Sequence, residues 1–211
     1  VMDGPYRPVS ADGSDGGRAA MRAALDQLQA AGYAIRGNQL VNTKTGKPLA
    51  FEIMVANNDD ERLALAYQRT LARIGIKVSV RNVEDAQFQP RLQNFDYDMV
   101  RRSFPVSLSP GNEQLGRWSQ ASADRPSSFN YAGAKQPALD ALIDAMLAAH
   151  THDDFVAAVR ALDRVLISGY YVVPLFYLPD QWIARWSYIE HPKTPALTGY
   201  VLPTWWRKPG S

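Results

Sequence analysis

Between Leu49 and Phe104 the hydrophobic period changes at every segment, and this alternation constrains the fold more than any other feature of the sequence. "LAFEIMV" is an apolar run of strand length. "NNDDERLALAYQRTLARIG" then repeats apolar residues at helical spacing, with Leu63, Tyr67, Leu71 and Ile74 as the expected buried stripe, Asp59 or Asp60 as the cap and Gly75 as the stop. "IKVSVRNV" alternates as a strand does, "DAQFQPRLQNF" suits a short helix whose Pro90 sits in the first turn or breaks it, and "YDMVRRSF" reads as a third strand. Strand–helix–strand–helix–strand order implies a mainly parallel sheet with helices packed on its faces, because parallel neighbours need a crossover. Open sheets of this kind bind ligands beyond the carboxyl ends of their strands. The loop after "MVRRSF" lies at such an end.

The flanking segments continue the α/β pattern. Met21, Ala24, Leu25 and Leu28 predict a helix over Arg18 to Ala31, closed by Gly32. A strand, turns at Gly37-Asn38 and Thr45-Gly46, and a longer strand from Leu49 to Val55 follow. Downstream, Pro137 opens a helix with Leu139, Leu142, Ile143 and Met146 on one face. The next helix turns Phe155, Val159, Leu162 and Leu166 inward, with Asp153 and Asp154 as capping residues. "YYVVPLFYL" reads as a buried strand, placed at an edge or bend by Pro174. The tail from His191 is rich in Pro, Gly and Trp and has no regular period.

Several chemistries are excluded or left without support. The chain has no cysteine, so disulfides, thiolate metal sites and cysteine nucleophiles are absent. A net charge of +2 over 211 residues offers no concentrated positive surface for nucleic acid. No window approaches the roughly 18 apolar residues of a membrane span. His150 and His152, two apart, point to different faces of a helix end, unlike the i, i+4 pairs that hold metals. "DGSDGG" at 12–17 lacks the spacing and closing Glu of a calcium loop. Asp96, Asp98, Glu113 and Asp140 show no spacing that joins two of them as acid and base. Neither a metal nor a cofactor is expected. The first residues, "VMDGPYRPVS", begin as a loop, and the chain is expected to be a fragment of a longer protein or a mature secreted chain.

The informative residues surround the loop. On a strand, Arg101 and Arg102 would point to opposite faces, and a buried guanidinium needs a partner. Asp96, Asp98 or Glu84 could supply one; alternatively one arginine projects into a cleft and grips an anionic group. Phe104, Trp118, Phe129 and Tyr131 flank the loop, as core residues or as rigid ligand walls.

Several segments together resemble the C-terminal part of the family five extracellular solute-binding proteins, which feed peptide importers. These are "LDQLQAAGY", "NTKTGKPLAFEIMV", "LAYQRTLARIGIKVSVRNVEDAQFQPRLQNFDYDMV", "NYAGAKQPALDALIDAM" and "ALDRVLISGYYVVPLFYLPDQWIARW". "SLSPGNEQ" and "TWW" are similar to the branch typified by the oligopeptide importer that also admits the peptide-nucleotide antibiotic microcin C. The resemblance implies an α/β lobe of the type II periplasmic-binding class. Residues 1–186 would form the C-terminal ligand-binding lobe, and residues 187–211 would cross back to an N-terminal lobe. It also implies a non-enzymatic, monomeric receptor, exported by a signal peptide to the periplasm, that hands peptides or peptide-like solutes to the membrane permease subunits of an ABC importer. Phe104 falls on the family's aromatic position, and Ser107 falls where its peptide binders carry the acid that holds a terminal ammonium. The expected ligand residues are Arg101 for an anionic group, Phe104 and Trp118 as walls, and Ser107, Asn112 and Tyr131 as hydrogen-bonding groups. A ligand-sensing domain of a transcriptional regulator and a hydrolase lobe are the alternatives; upstream sequence encoding a DNA-binding segment would favour the former.

Overall fold

The computed structural model describes residues 17–104, 108–176, 180 and 182–210. Helix α1 (Arg18–Ala30) leads into an antiparallel hairpin of β1 (Tyr33–Arg36) and β2 (Gln39–Asn42). Then β3 (Ala50–Val55), α2 (Asn58–Ala72), β4 (Lys77–Asn82), α3 (Asp85–Gln93) and β5 (Met99–Val100) follow in the alternating order that the sequence predicts. The three strands form one parallel sheet in the order β4-β3-β5.

Central strand β3 explains the rest of this half. Ile53, Met54 and Val55 are consecutive and all buried, as expected of a parallel strand covered on both faces. Because successive side chains alternate, the strand feeds two cores. Ile53 and Val55 pack with Leu40, Ala64, Ile74 and Val78, joined by Met21, Ala24, Leu25 and Leu28 of α1. Met54 packs on the other face with Val83, Phe88 and Leu92.

Three local expectations are corrected here. Asn57, rather than Asp59 or Asp60, caps α2, its side chain accepting from the Asp60 N–H at 2.9 Å. Leu63 is 37% exposed, and Ala64 takes its place in the core. The inward ladder is Ala64, Tyr67, Leu71 and Ile74, from which Leu63 is rotated by one residue, about 100°. Pro90 neither starts nor breaks α3 but lies inside it; Asn94 closes the helix by donating from both its backbone N–H and its side-chain amide to the Pro90 carbonyl.

Gly75 joins α2 to β4 and has a left-handed backbone, φ +80°, where an added Cβ would sit 2.8 Å from the Leu40 nitrogen. That nitrogen donates to the Gly75 carbonyl at 2.8 Å, so the backbones cannot separate without losing the bond. Gly75→Ala is expected to destabilise the fold by about 2 kcal/mol or more, combining left-handed strain with the clash. A urea titration checks this.

The second half is helical: α4 (Glu113–Trp118), α5 (Gln120–Ala123), α6 (Pro137–Leu147) and α7 (His152–Ser168). Helices α6 and α7 build a third core from Leu139, Ile143, Met146, Ala158, Leu162 and Val165. The cap of α7 is Thr151, not Asp153 or Asp154. Its hydroxyl accepts from the Asp154 N–H at 3.1 Å and donates to the Asp154 carboxylate at 2.7 Å, a reciprocal capping arrangement.

"YYVVPLFYL" is corrected most. Residues 171–176 form no strand, and Tyr170, Val173, Leu175 and Phe176 are half or more exposed. No described strand pairs with this segment, and Pro174 has no N–H to offer one. Tyr177 lies outside the described residues. Only Tyr171 turns inward, against the third core. The tail, read as aperiodic, folds locally. Strands β6 (Ile189–Glu190) and β7 (Trp206–Arg207) pair antiparallel, and His191 sits between Tyr200 and Trp205 with ring centroids 4.9 and 5.4 Å away. Among the described residues no helix is long and apolar enough to cross a membrane.

Candidate functional site

Strand β5 ends at Val100, so both arginines emerge past the sheet rather than lying within it. Their partners differ from those the sequence suggests. Asp98 accepts the Glu52 N–H at 2.9 Å, and Asp96 takes the Arg91 Nε at 2.9 Å. Arg101 instead places its Nε 3.3 Å from Asp60 Oδ1, at the first turn of α2. Arg102 lies over the Tyr131 ring, 5.0 Å from its centroid, with Nη2 3.4 Å from the phenol oxygen. Arg102 is therefore held against Tyr131 in a cation–π arrangement and Arg101 is paired with Asp60; both line the open end of the sheet.

A pocket of about 260 Å³ lies at these strand ends. Its polar lining is Asn57, Asp60, Asp85, Gln89, Arg101, Arg102 and Ser103, with Phe88 and Ala56 as apolar floor. It forms because β3 and β5 end side by side while α2 and α3 both begin there.

Beside the arginines the loop aromatics converge. Phe104 stacks on Trp118, centroids 5.9 Å apart and planes at 17°, and meets Tyr131 edge-on at 6.4 Å. Phe129 meets Tyr131 edge-on at 6.2 Å, and Trp118 touches Tyr171 at 6.4 Å. Both readings of the aromatics have a share. Trp118 packs on the α6–α7 core and Tyr131 on the core beneath the sheet, while Phe129 is 61% exposed.

Tyr131 is positioned from three sides: by the Arg102 guanidinium, by Tyr97, whose hydroxyl donates to the Tyr131 carbonyl at 2.9 Å, and by its neighbour Asn130. Burial, and the nearby Tyr131 phenol, push the Tyr97 hydroxyl up to about 12, with Arg102 pulling the other way. The folded state thus holds this proton more tightly than the unfolded chain, so the contribution is intact below pH 10.0 and is lost as pH rises toward about 12. Tyr97→Phe is expected to flatten the alkaline fall in stability over that window, measured by urea titration at stepped pH.

Asn130 is fully buried. Its amide donates to the carbonyls of Ser119 at 3.1 Å and Ala134 at 3.0 Å and to the Ser122 hydroxyl at 3.3 Å, and its oxygen accepts the Ala134 N–H at 2.9 Å. It pins the loop that carries Phe129 and Tyr131 to helix α5. Sequence reasoning passed over Asn130, Asp60 and Tyr97 as parts of the site. The Asn130-Tyr131 pair was the one available signal.

Of the expected residues, Phe104, Trp118 and Tyr131 form one cluster, and Arg101 stands at the adjoining pocket. Asn112 is exposed at the start of α4 and makes no side-chain capping bond. Ser107 lies outside the described residues. Glu113, the nearest downstream acid, is engaged within its own turn: it accepts the Gly111 N–H at 3.0 Å and is held below the ordinary carboxylate range, first by its own backbone N–H. Asp140 accepts both the backbone and side-chain amides of Gln120, at 3.0 and 2.7 Å. Among the described residues no three potential metal ligands converge.

Comparison with known proteins follows the same residues. The profile described as bacterial extracellular solute-binding proteins, family 5, middle region matches residues 3–125. A Brucella suis protein, provisionally named as a binding protein, is 55% identical over 98% of this chain and 33% of its own length. The Agrobacterium fabrum protein named peptidoglycan-binding protein YepA is 47% identical over the same shares. The chain therefore spans about a third of the length of the curated relatives it matches. Among solved structures, the oligopeptide-binding protein AppA of Bacillus subtilis, in complex with a nonapeptide, superposes with a TM-score of 0.70 at 18% identity, over 88% of this chain and 37% of AppA.

Proposed function

The chain belongs to family 5 of the bacterial extracellular solute-binding proteins and has the α/β fold of a type II periplasmic-binding lobe, and from that premise we propose that the whole protein captures peptides or peptide-like solutes in the periplasm for an ABC importer. It acts as a monomeric, non-enzymatic receptor exported by a signal peptide, and it delivers ligand to membrane permease subunits. The observation that carries this reading is the cluster of Phe104, Trp118, Phe129 and Tyr131 beside the charged pocket at the strand ends. Rigid aromatic faces accept varied side chains, and a few polar groups fix orientation. In the proposed site Arg101 takes an anionic group, Phe104 and Trp118 form walls, and Ser107, Asn112 and Tyr131 supply hydrogen bonds. The relative named for peptidoglycan is compatible, since that polymer carries peptide stems.

Residues 1–186 are proposed as the lobe and 187–211 as the segment returning to an N-terminal lobe. The exposed apolar side chains of Tyr170, Val172, Val173, Leu175 and Phe176, with Trp182 at 94% and Trp186 at 72% exposure, support cover from that other lobe beginning some residues earlier than 187. Ligand is then trapped as two lobes close on a hinge. Mass spectrometry of molecules released from the purified full-length protein tests the reading: peptides or peptide conjugates are expected, and a preparation that carries and binds only non-peptide solutes would overturn it.

A further inference from the structure

The pocket at the ends of β3 and β5 carries two acids, Asp60 and Asp85, to which the peptide reading gives no role. Four charged side chains line it: Asp60, Asp85, Arg101 and Arg102. Arg102 rests on the neutral Tyr131 ring and keeps its charge, so two guanidiniums face two carboxylates, and Arg101 is the one not engaged with an aromatic ring. Arg101 meets Asp60 through Nε alone, and its two terminal nitrogens make no hydrogen bond among the described residues. That pair of N–H groups is the fork that grips a carboxylate with two parallel bonds. Asp60 accepts from the Asn57 side-chain amide at 3.0 Å and forms an ion pair with Arg101 Nε at 3.3 Å, and a carboxylate has about four acceptor positions, so it retains capacity for another donor. Asp85 is exposed in the first turn of α3, and its side chain makes no hydrogen bond among the described residues.

A lone carboxylate entering this pocket would meet Arg101 but also two acids. A lone ammonium would meet the acids but also Arg101. A group carrying both charges on one carbon meets the opposite sign at each end. At about 260 Å³ the pocket falls below the roughly 300–1,000 Å³ of sites for drug-sized ligands, so it admits one residue-sized group rather than a peptide. We propose that it binds a zwitterionic amino-acid group, its carboxylate on the terminal nitrogens of Arg101 and its ammonium on Asp60 and Asp85. The proposal rests on the chain being a solute-binding lobe, and it adds a specificity subsite beside the aromatic wall. A free amino acid and a peptide side chain that ends in an amino-acid group share this chemistry.

Calorimetric titration of the full-length protein separates these sources. The probes are free L-alanine, an end-blocked tetrapeptide with one side chain ending in an amino-acid group, and forms of each lacking the ammonium or the carboxylate. At least one zwitterionic probe is expected to bind about tenfold or more tightly than both of its single-charge forms, and the probe that does so identifies the source. Asp85→Asn is expected to remove that preference while leaving the thermal midpoint in place, because the Asp85 side chain makes no hydrogen bond within the described fold. Single-charge forms that bind as well as the zwitterions, or a preference that survives Asp85→Asn, would overturn the subsite. If unmodified peptides still bind in that case, the proposed function stands without it; if no peptide binds, both fall.

Discussion

Replacing Asn130 by alanine is expected to cost about 3 kcal/mol of stability, as much as truncating an apolar side chain of the core. The cause is not the volume removed. The side chain satisfies the carbonyls of Ser119 and Ala134 and the N–H of Ala134 in a fully buried place. The Ser119 carbonyl keeps the Ser122 N–H and hydroxyl, but truncation leaves the Ala134 carbonyl and N–H without a partner among the described residues, at about 1–3 kcal/mol for each group that water cannot reach. Partial relaxation brings the total below the simple sum. Ser128, which donates to the Ser122 carbonyl at 2.6 Å within the same network, should give a smaller loss on mutation to alanine. Because Asn130 precedes Tyr131, the variant should also disturb the near-ultraviolet dichroism of the aromatic cluster at temperatures where the helices remain folded. Chemical denaturation followed at both wavelengths checks the two effects together.

Trp118→Ala is expected to weaken peptide binding by the full-length protein by about 2 kcal/mol, some thirtyfold, the largest effect among the wall residues. Trp118 is stacked on Phe104 at 5.9 Å and packed on the α6–α7 core, so it is already ordered before ligand arrives and loses little entropy on binding. Its removal also frees the Phe104 ring. Trp118→Phe keeps an aromatic face and should recover most of the affinity. Phe129→Ala, at an exposed edge, should cost less than a third as much in free energy. Equal losses at Phe129 and Trp118 would mean that the wall is not organised as described.

The sheet was legible because β3 is an unbroken apolar run while α2 carries a helical period and β4 an alternating one, although in α2 the period left the exact ladder one residue off, Ala64 for Leu63. The pocket at the strand ends lies where that order predicts one. Partners were harder to read. Arg101 finds Asp60, forty-one positions earlier, because α2 begins where β5 ends, and no local spacing reports that juxtaposition. The caps were misassigned for a related reason. Asn57 and Thr151 precede the acidic runs that drew the eye, and a cap must have extended backbone, which the following aspartates do not. "YYVVPLFYL" failed differently. Its composition is that of a strand, but a strand needs a neighbour, and none of the described strands is one.

The most direct test of the central claim is calorimetric titration of the full-length protein with short unmodified peptides. The account predicts saturable binding at one site with micromolar or tighter affinity, weakened by Trp118→Ala. An absence of saturable binding across peptides of varied length and charge, by protein shown to be folded, would contradict it.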